Sequence, residues 1–173
     1  SAARYLETKN GRVALISVNT NFDPSMMAGE QSQRVKGRPG INGIRIEKHI
    51  ELPQEDIDYI RQIGIDTNIN AAKEITRKEG YFEPLKSDEC ELGELKFKLG
   101  TERRFVMKVN EEDIKRVERA IYEAKLQSDY IMVSVHSHQL SGDKKETPSD
   151  FLIDFAHRCI DMGANAIVGH GPH

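Results

Sequence analysis

Two apolar segments late in the chain, Tyr130–Val135 (YIMVSV) and Ala164–Val168, bracket an amphipathic helical pattern, and this arrangement constrains the fold more than any other feature. Between them Thr147 supplies an N-cap and Pro148 and Asp150 occupy the first turn. Leu152, Phe155, Ala156, Cys159 and Ile160 then form the stripe, and Gly163 is the stop. A connection of about thirty residues with a capped helix inside makes the flanking strands parallel and the crossover right-handed, with the strands neighbours or next-neighbours in one sheet. Their carboxyl ends then share an edge. The nearly unbroken apolarity of Tyr130–Val135 is the pattern of a strand buried on both faces.

That edge carries imidazoles. His136 directly follows the first strand, and His170 follows the second after Gly169, at the edge where open α/β sheets place their ligands. With His138 and His173, four of the six histidines lie there. Neutral imidazole suits borderline divalent ions such as Zn, Mn, Fe or Ni. The glycines of Gly169-His170-Gly171-Pro172-His173 let the backbone bend so that nearby side chains converge on one ion. A metal-free histidine cluster is the alternative, and the spacing identifies no carboxylate ligand with which to complete a catalytic site. Glu146 and Asp150 lie near the same loop, although Asp150 is better explained as the acid that caps the helix. His49 and His157 read as ordinary packing or surface residues.

Upstream, Arg12–Val18 is a strand candidate introduced by the turn pair Asn10-Gly11. Residues 21–43 are rich in Gly, Pro and polar side chains and predict a long loop, in which Arg34, Lys36 and Arg38 form a small basic cluster. Such a cluster suits an anion or a simply solvated loop. Two helices are expected, over Pro53–Ile63 with Gly64 as the stop, and over Thr67–Glu79 ending at Gly80. Leu95, Phe97 and Leu99 alternate with lysines, Gly100-Thr101-Glu102 turns the chain, and Phe105, Met107 and Val109 complete the pattern of a half-solvated β-hairpin. Asn110 caps a further helix with Ile114, Val117, Ile121 and Ala124 on one face, running to about Gln127.

With 173 residues, 38% hydrophobic and 31% charged, the chain suits roughly one globular domain. Lys and Arg number 25 against 28 Asp and Glu, a net charge of -3, so no global positive field draws it to nucleic acid or anionic lipid. Apolar runs of about four residues fall far short of the ~20 that span a bilayer, and Ser1–Glu7 does not read as a signal peptide. Cys90, expected in an acidic loop, and Cys159, on a helix face, lack metal-ligand spacing and read as free thiols.

The segments Val133-Ser134-Val135-His136, Thr147-Pro148-Ser149-Asp150 and Asp161 through His173 resemble the CapA family of capsule-synthesis proteins, associated with poly-γ-glutamate. Arg4-Tyr5-Leu6-Glu7, Arg12–Val18 and Arg38-Pro39-Gly40-Ile41-Asn42 are similar to the middle of such a domain. The resemblance implies an α/β fold, part of a four-layer αββα metallophosphoesterase-like sandwich with an inserted β-hairpin. It also implies a site for divalent metal (Mn, Zn or Fe) to which His136, His170 and His173 contribute. The family's Trp-Gly-Gly-Glu continuation is here Ser137-His138-Gln139-Leu140, and Gly171 stands for the second histidine of the terminal motif. Residues 1–173 are accordingly expected to be an internal part of a domain of ~300 residues, lacking the family's earlier metal motifs and later strands, with 45–110 a more variable insertion.

Two functions follow from the resemblance. In the first, the parent protein is a metal-dependent hydrolase or transferase acting on a phosphoryl or an amide bond, with a phosphoesterase-type hydrolase favoured and His138 in proton transfer or solvated beside the site. In the second, it is a non-catalytic component of poly-γ-glutamate assembly or export whose Arg34, Lys36 and Arg38 contact an anionic polymer. Family resemblance suggests the bacterial cell envelope or an extracytoplasmic site, with the cytoplasm the alternative.

Overall fold

The computed structural model describes residues 3–142 and 144–171; the expected ligand His173 lies outside them. The chain forms two compact units, one from residues 1–46 and 109–173 and the other from 47–108. Among the described residues it is α/β throughout, with two four-stranded mixed sheets and four α-helices, consistent with the metallophosphoesterase-like class of fold expected.

In the first unit the sheet order is β1-β2-β7-β8. Strand β1 (Arg4–Thr8) turns through Lys9-Asn10 into β2 (Gly11–Asn19), antiparallel, while β7 (Tyr130–His136) and β8 (Ala166–His170) each run parallel to their neighbour. Alternation along β2 and β7 puts Ala14, Ile16 and Val18 on one face with Ile131, Val133 and Val135, all at most 2% exposed. Against that face pack α3 (Glu111–Lys125), through Ile114, Val117, Ile121 and Ala124, and α4 (Asp150–Met162), through Phe151, Phe155 and Cys159. Each such buried aliphatic side chain is worth roughly 1.5–3 kcal/mol relative to exposure. Asn110 caps α3 as expected, its Oδ1 accepting from the amides of Glu112 and Asp113 at 3.1 and 3.4 Å.

Two expectations for this unit are corrected. β7 is not buried on both faces: helices cover one, and the other presents Tyr130, Met132, Ser134 and His136, exposed or half-buried. An apolar run specifies a strand in the core but not the number of layers over it. The N-cap of α4 is Ser149, fully buried, rather than Thr147. Pro148 is held one step earlier, bridged to Leu140, so the helix begins at Asp150.

The second unit has sheet order β4-β5-β3-β6, from β3 (Ile46–Leu52), β4 (Glu89–Leu92), β5 (Leu95–Leu99) and β6 (Arg104–Val109). Helix α1 (Gln54–Thr67) packs on β4 and β5 around Ile57, Cys90 and Phe97, and α2 (Ala71–Lys78) follows it. An inserted hairpin is present, but it joins β4 to β5 (Leu92 opposite Leu95). The expected pairing of 95–99 with 105–109 does not form, because β3 lies between β5 and β6. Alternation marks which side chains are inward, not which strand is the neighbour. Cys90 accordingly sits in a strand and is 5% exposed, not in a loop. Helix α1 also runs through Gly64 to Asn68, which takes the left-handed cap at φ 53°. Gly64 permits a close approach: a Cβ there would meet Nδ2 of the Asn70 side chain at 3.3 Å. Asn70 in turn donates to the Glu91 carbonyl and accepts from the Gly93 amide, at 2.8 and 2.9 Å.

Candidate metal centre

The ladder that ends β7 and β8 sets the site. His136 and His170 are register partners, and His136 is also opposite Asn19 on β2, so the three occupy one row on one face at the carboxyl ends of parallel strands. Backbone bonds carry the row just beyond the strands, from the Ser137 amide to the His170 carbonyl and from the Thr20 amide to the His136 carbonyl, both 2.9 Å. The imidazoles lie with Nδ1 of His136 and Nδ1 of His170 at 3.2 Å, ring centroids 5.1 Å apart and planes inclined by 51°.

His138 joins this pair from the following loop, its ring 4.7 Å from that of His136 in edge contact. The loop that carries it is held by Gln139, whose Oε1 accepts from the hydroxyls of Thr20 (2.6 Å) and Ser137 (2.9 Å) while its Nε2 donates to the Thr20 carbonyl (3.2 Å). Thr20 and Ser137 are buried, so this network fixes the loop as it leaves the sheet. His138, between Ser137 and Gln139, is exposed.

A second network holds the neighbouring loop. Asp113 is almost wholly buried and accepts from the Arg45 amide and Nε at 2.8 Å, and from Arg45 and Arg116 Nη2 at 3.0 Å. Burial pushes its carboxyl up, but the bonds from Arg45 and Arg116 outweigh this, and it is held below the usual range. Arg116 passes the restraint on by donating to Asn42 Oδ1 and the Gly43 carbonyl. That stretch pairs with the end of β2, from the Asn19 amide to the Asn42 carbonyl (3.0 Å) and from the Ile44 amide to the Asn19 carbonyl (2.8 Å).

Of the residues expected at the site, the structure brings together His136, His138 and His170. Arg34, Lys36 and Arg38 are exposed in the 21–43 loop, and among the described residues no hydrogen bond or ion pair links them to the histidines. Arg38 is engaged with the Met27 carbonyl at 2.7 Å. Glu146 and Asp150 are exposed, the latter in the first turn of α4. Reasoning from the sequence missed Ser134, whose Oγ lies 3.1 Å from His170 Nε2. The signal for it was the two-residue period, which puts position 134 on the same face as 136.

The fit to a metal ion can be tested on the donors. Two imidazole ligands at about 2.0–2.1 Å from a tetrahedral ion stand about 3.3 Å apart, close to the 3.2 Å between the Nδ1 atoms. Gly171 (φ 116°) leaves the flank of His136 open, since a Cβ there would meet its Nδ1 and Cε1 at 3.0 Å. The pair therefore fits part of a coordination shell. Among the described residues no group of three or more His, Cys, Asp or Glu side chains could hold an ion.

The family model described as "Bacterial capsule synthesis protein PGA_cap" matches residues 1–173. Two curated proteins of Sinorhizobium fredii (strain NBRC 101917 / NGR234), "Uncharacterized protein y4sH" and "Uncharacterized protein y4uA", are each 32% identical over 173 residues, which is 100% of this chain and 35% of theirs. The chain thus spans about a third of the length of these relatives.

Proposed function

As this chain belongs to the bacterial capsule synthesis protein family, we propose that the full-length protein is a divalent-metal-dependent hydrolase of a phosphoester in capsule or poly-γ-glutamate synthesis. The observation that supports this best is the convergence of His136 and His170 Nδ1 at 3.2 Å from the ends of adjacent parallel strands. His136 and His170 hold the ion (Mn, Zn or Fe), with His173 as a further ligand. Such an ion, when bound, supplies Lewis-acid polarisation and a water of lowered pKa. His138 exchanges protons with solvent, from an exposed position in edge contact with His136. The 45–110 stretch serves as an insertion that varies within the family.

Element analysis of the purified full-length protein tests the assignment. Stoichiometric metal in the wild type, lost in both His136→Ala and His170→Ala, is expected; unchanged content in both variants rules the ligands out.

A second reading, a non-catalytic binder of an anionic polymer, is favoured by the exposed side chains of Arg34 and Lys36. Metal-free protein whose salt-sensitive binding of poly-γ-glutamate is lost on replacing both residues by alanine would establish it.

A further inference from the structure

We infer that Ser134 is a positioning residue that fixes which nitrogen of His170 faces His136. The inference rests on the reading of His136 and His170 as ligands. His170 ends β8, and a terminal imidazole torsion is broad unless a neighbour restrains it. The neighbour is the Ser134 hydroxyl, 3.1 Å from Nε2, while Nδ1 is 3.2 Å from Nδ1 of His136. Ser134 reaches the ring because it lies two residues before His136 on the same face of β7. Its register partners there, Ser17 on β2 and Val168 on β8, carry no charge.

A neutral imidazole has one N–H and one lone pair. With Nε2–H donated to Ser134 Oγ, the lone pair of His170 is on Nδ1, directed to where the second Nδ1 also converges. Ligating histidines generally have the other ring nitrogen tied in this way. Here the tie comes from a serine within the adjacent strand.

The test uses the full-length protein with Ser134→Ala, Ser134→Thr and His170→Ala. Zinc affinity is measured by competition with a chromophoric chelator, and the tautomer of His170 by long-range nitrogen–proton NMR of the metal-free protein. Ser134→Ala is expected to bind zinc about 10- to 100-fold more weakly and to lose the Nε2–H preference, with the fold intact by circular dichroism. Ser134→Thr, which keeps the hydroxyl, is expected to restore both. Unchanged affinity in Ser134→Ala, where His170→Ala abolishes binding, overturns the role of Ser134 alone. Full zinc binding in His170→Ala instead overturns the ligand reading, and the inference with it.

Discussion

Replacing Asp113 by alanine is the severest test of how the first unit holds the loop beside its histidines. The side chain of Asp113 is 2% exposed, and those of its partners Arg116 and Arg45 are 19% and 50% exposed. Removing one member of a buried, hydrogen-bonded ion pair costs about 3–5 kcal/mol, because the remaining charge stays buried. Arg116 bears that penalty, whereas half-exposed Arg45 can turn to water and adds roughly 0–1 kcal/mol. The expected loss is thus about 3–6 kcal/mol, which lowers the urea midpoint by roughly 1–3 M at an unchanged slope. The pH dependence has a definite sign. A carboxyl held below its usual range contributes fully above the unfolded-chain value and loses that contribution as the pH falls through the lower folded value. Unfolding curves followed by circular dichroism at pH 7 and between about pH 4 and 2 measure both effects. A loss below about 1 kcal/mol at pH 7, within the ordinary range of single substitutions, would refute the argument that Asp113 neutralises a trapped guanidinium.

Two glycines of the terminal motif should respond differently. Gly171→Ala places a methyl 2.9 Å from the Ser137 carbonyl oxygen and 3.0 Å from the His136 ring, at φ 116°, and should weaken zinc binding by the full-length protein. Gly169→Ala meets nothing within 4 Å and should bind zinc like the wild type; equal behaviour of the two in a chelator competition would refute the steric reading. Burial pushes both thiols up, Cys159 to about 12, so neither should react with Ellman's reagent at pH 8 until the protein unfolds. One rapidly titrating thiol per native chain would contradict this.

The parallel pairing of β7 with β8, the helix between them and the placing of His136 and His170 at one edge were legible because they follow from chain connectivity and local pattern alone. Helix α3 was legible too, since Asn110 and the Ile114, Val117, Ile121, Ala124 stripe agree with each other. What escaped depended on partners distant in sequence. Gly64 reads as a stop until Asn70 is seen crossing above it, and 95–99 reads as the mate of 105–109 until β3 is found between them.

The phase of β8 against β7 belongs to the same class. Connectivity makes these strands parallel but leaves them free to slide, and a slip of one residue would turn every side chain of β8 to the opposite face. Asn165 removes that freedom: its Oδ1 accepts from the Ile131 amide at 2.7 Å, and its own amide donates to the Ile131 carbonyl at 2.8 Å. This double tie at the amino end pairs Met132 with Ala166, and four ladder steps later it delivers His136 opposite His170. The residue that brings the two imidazoles together is therefore an asparagine at the far end of the strands. In the sequence it reads only as a polar interruption of the apolar segment Ala164–Val168.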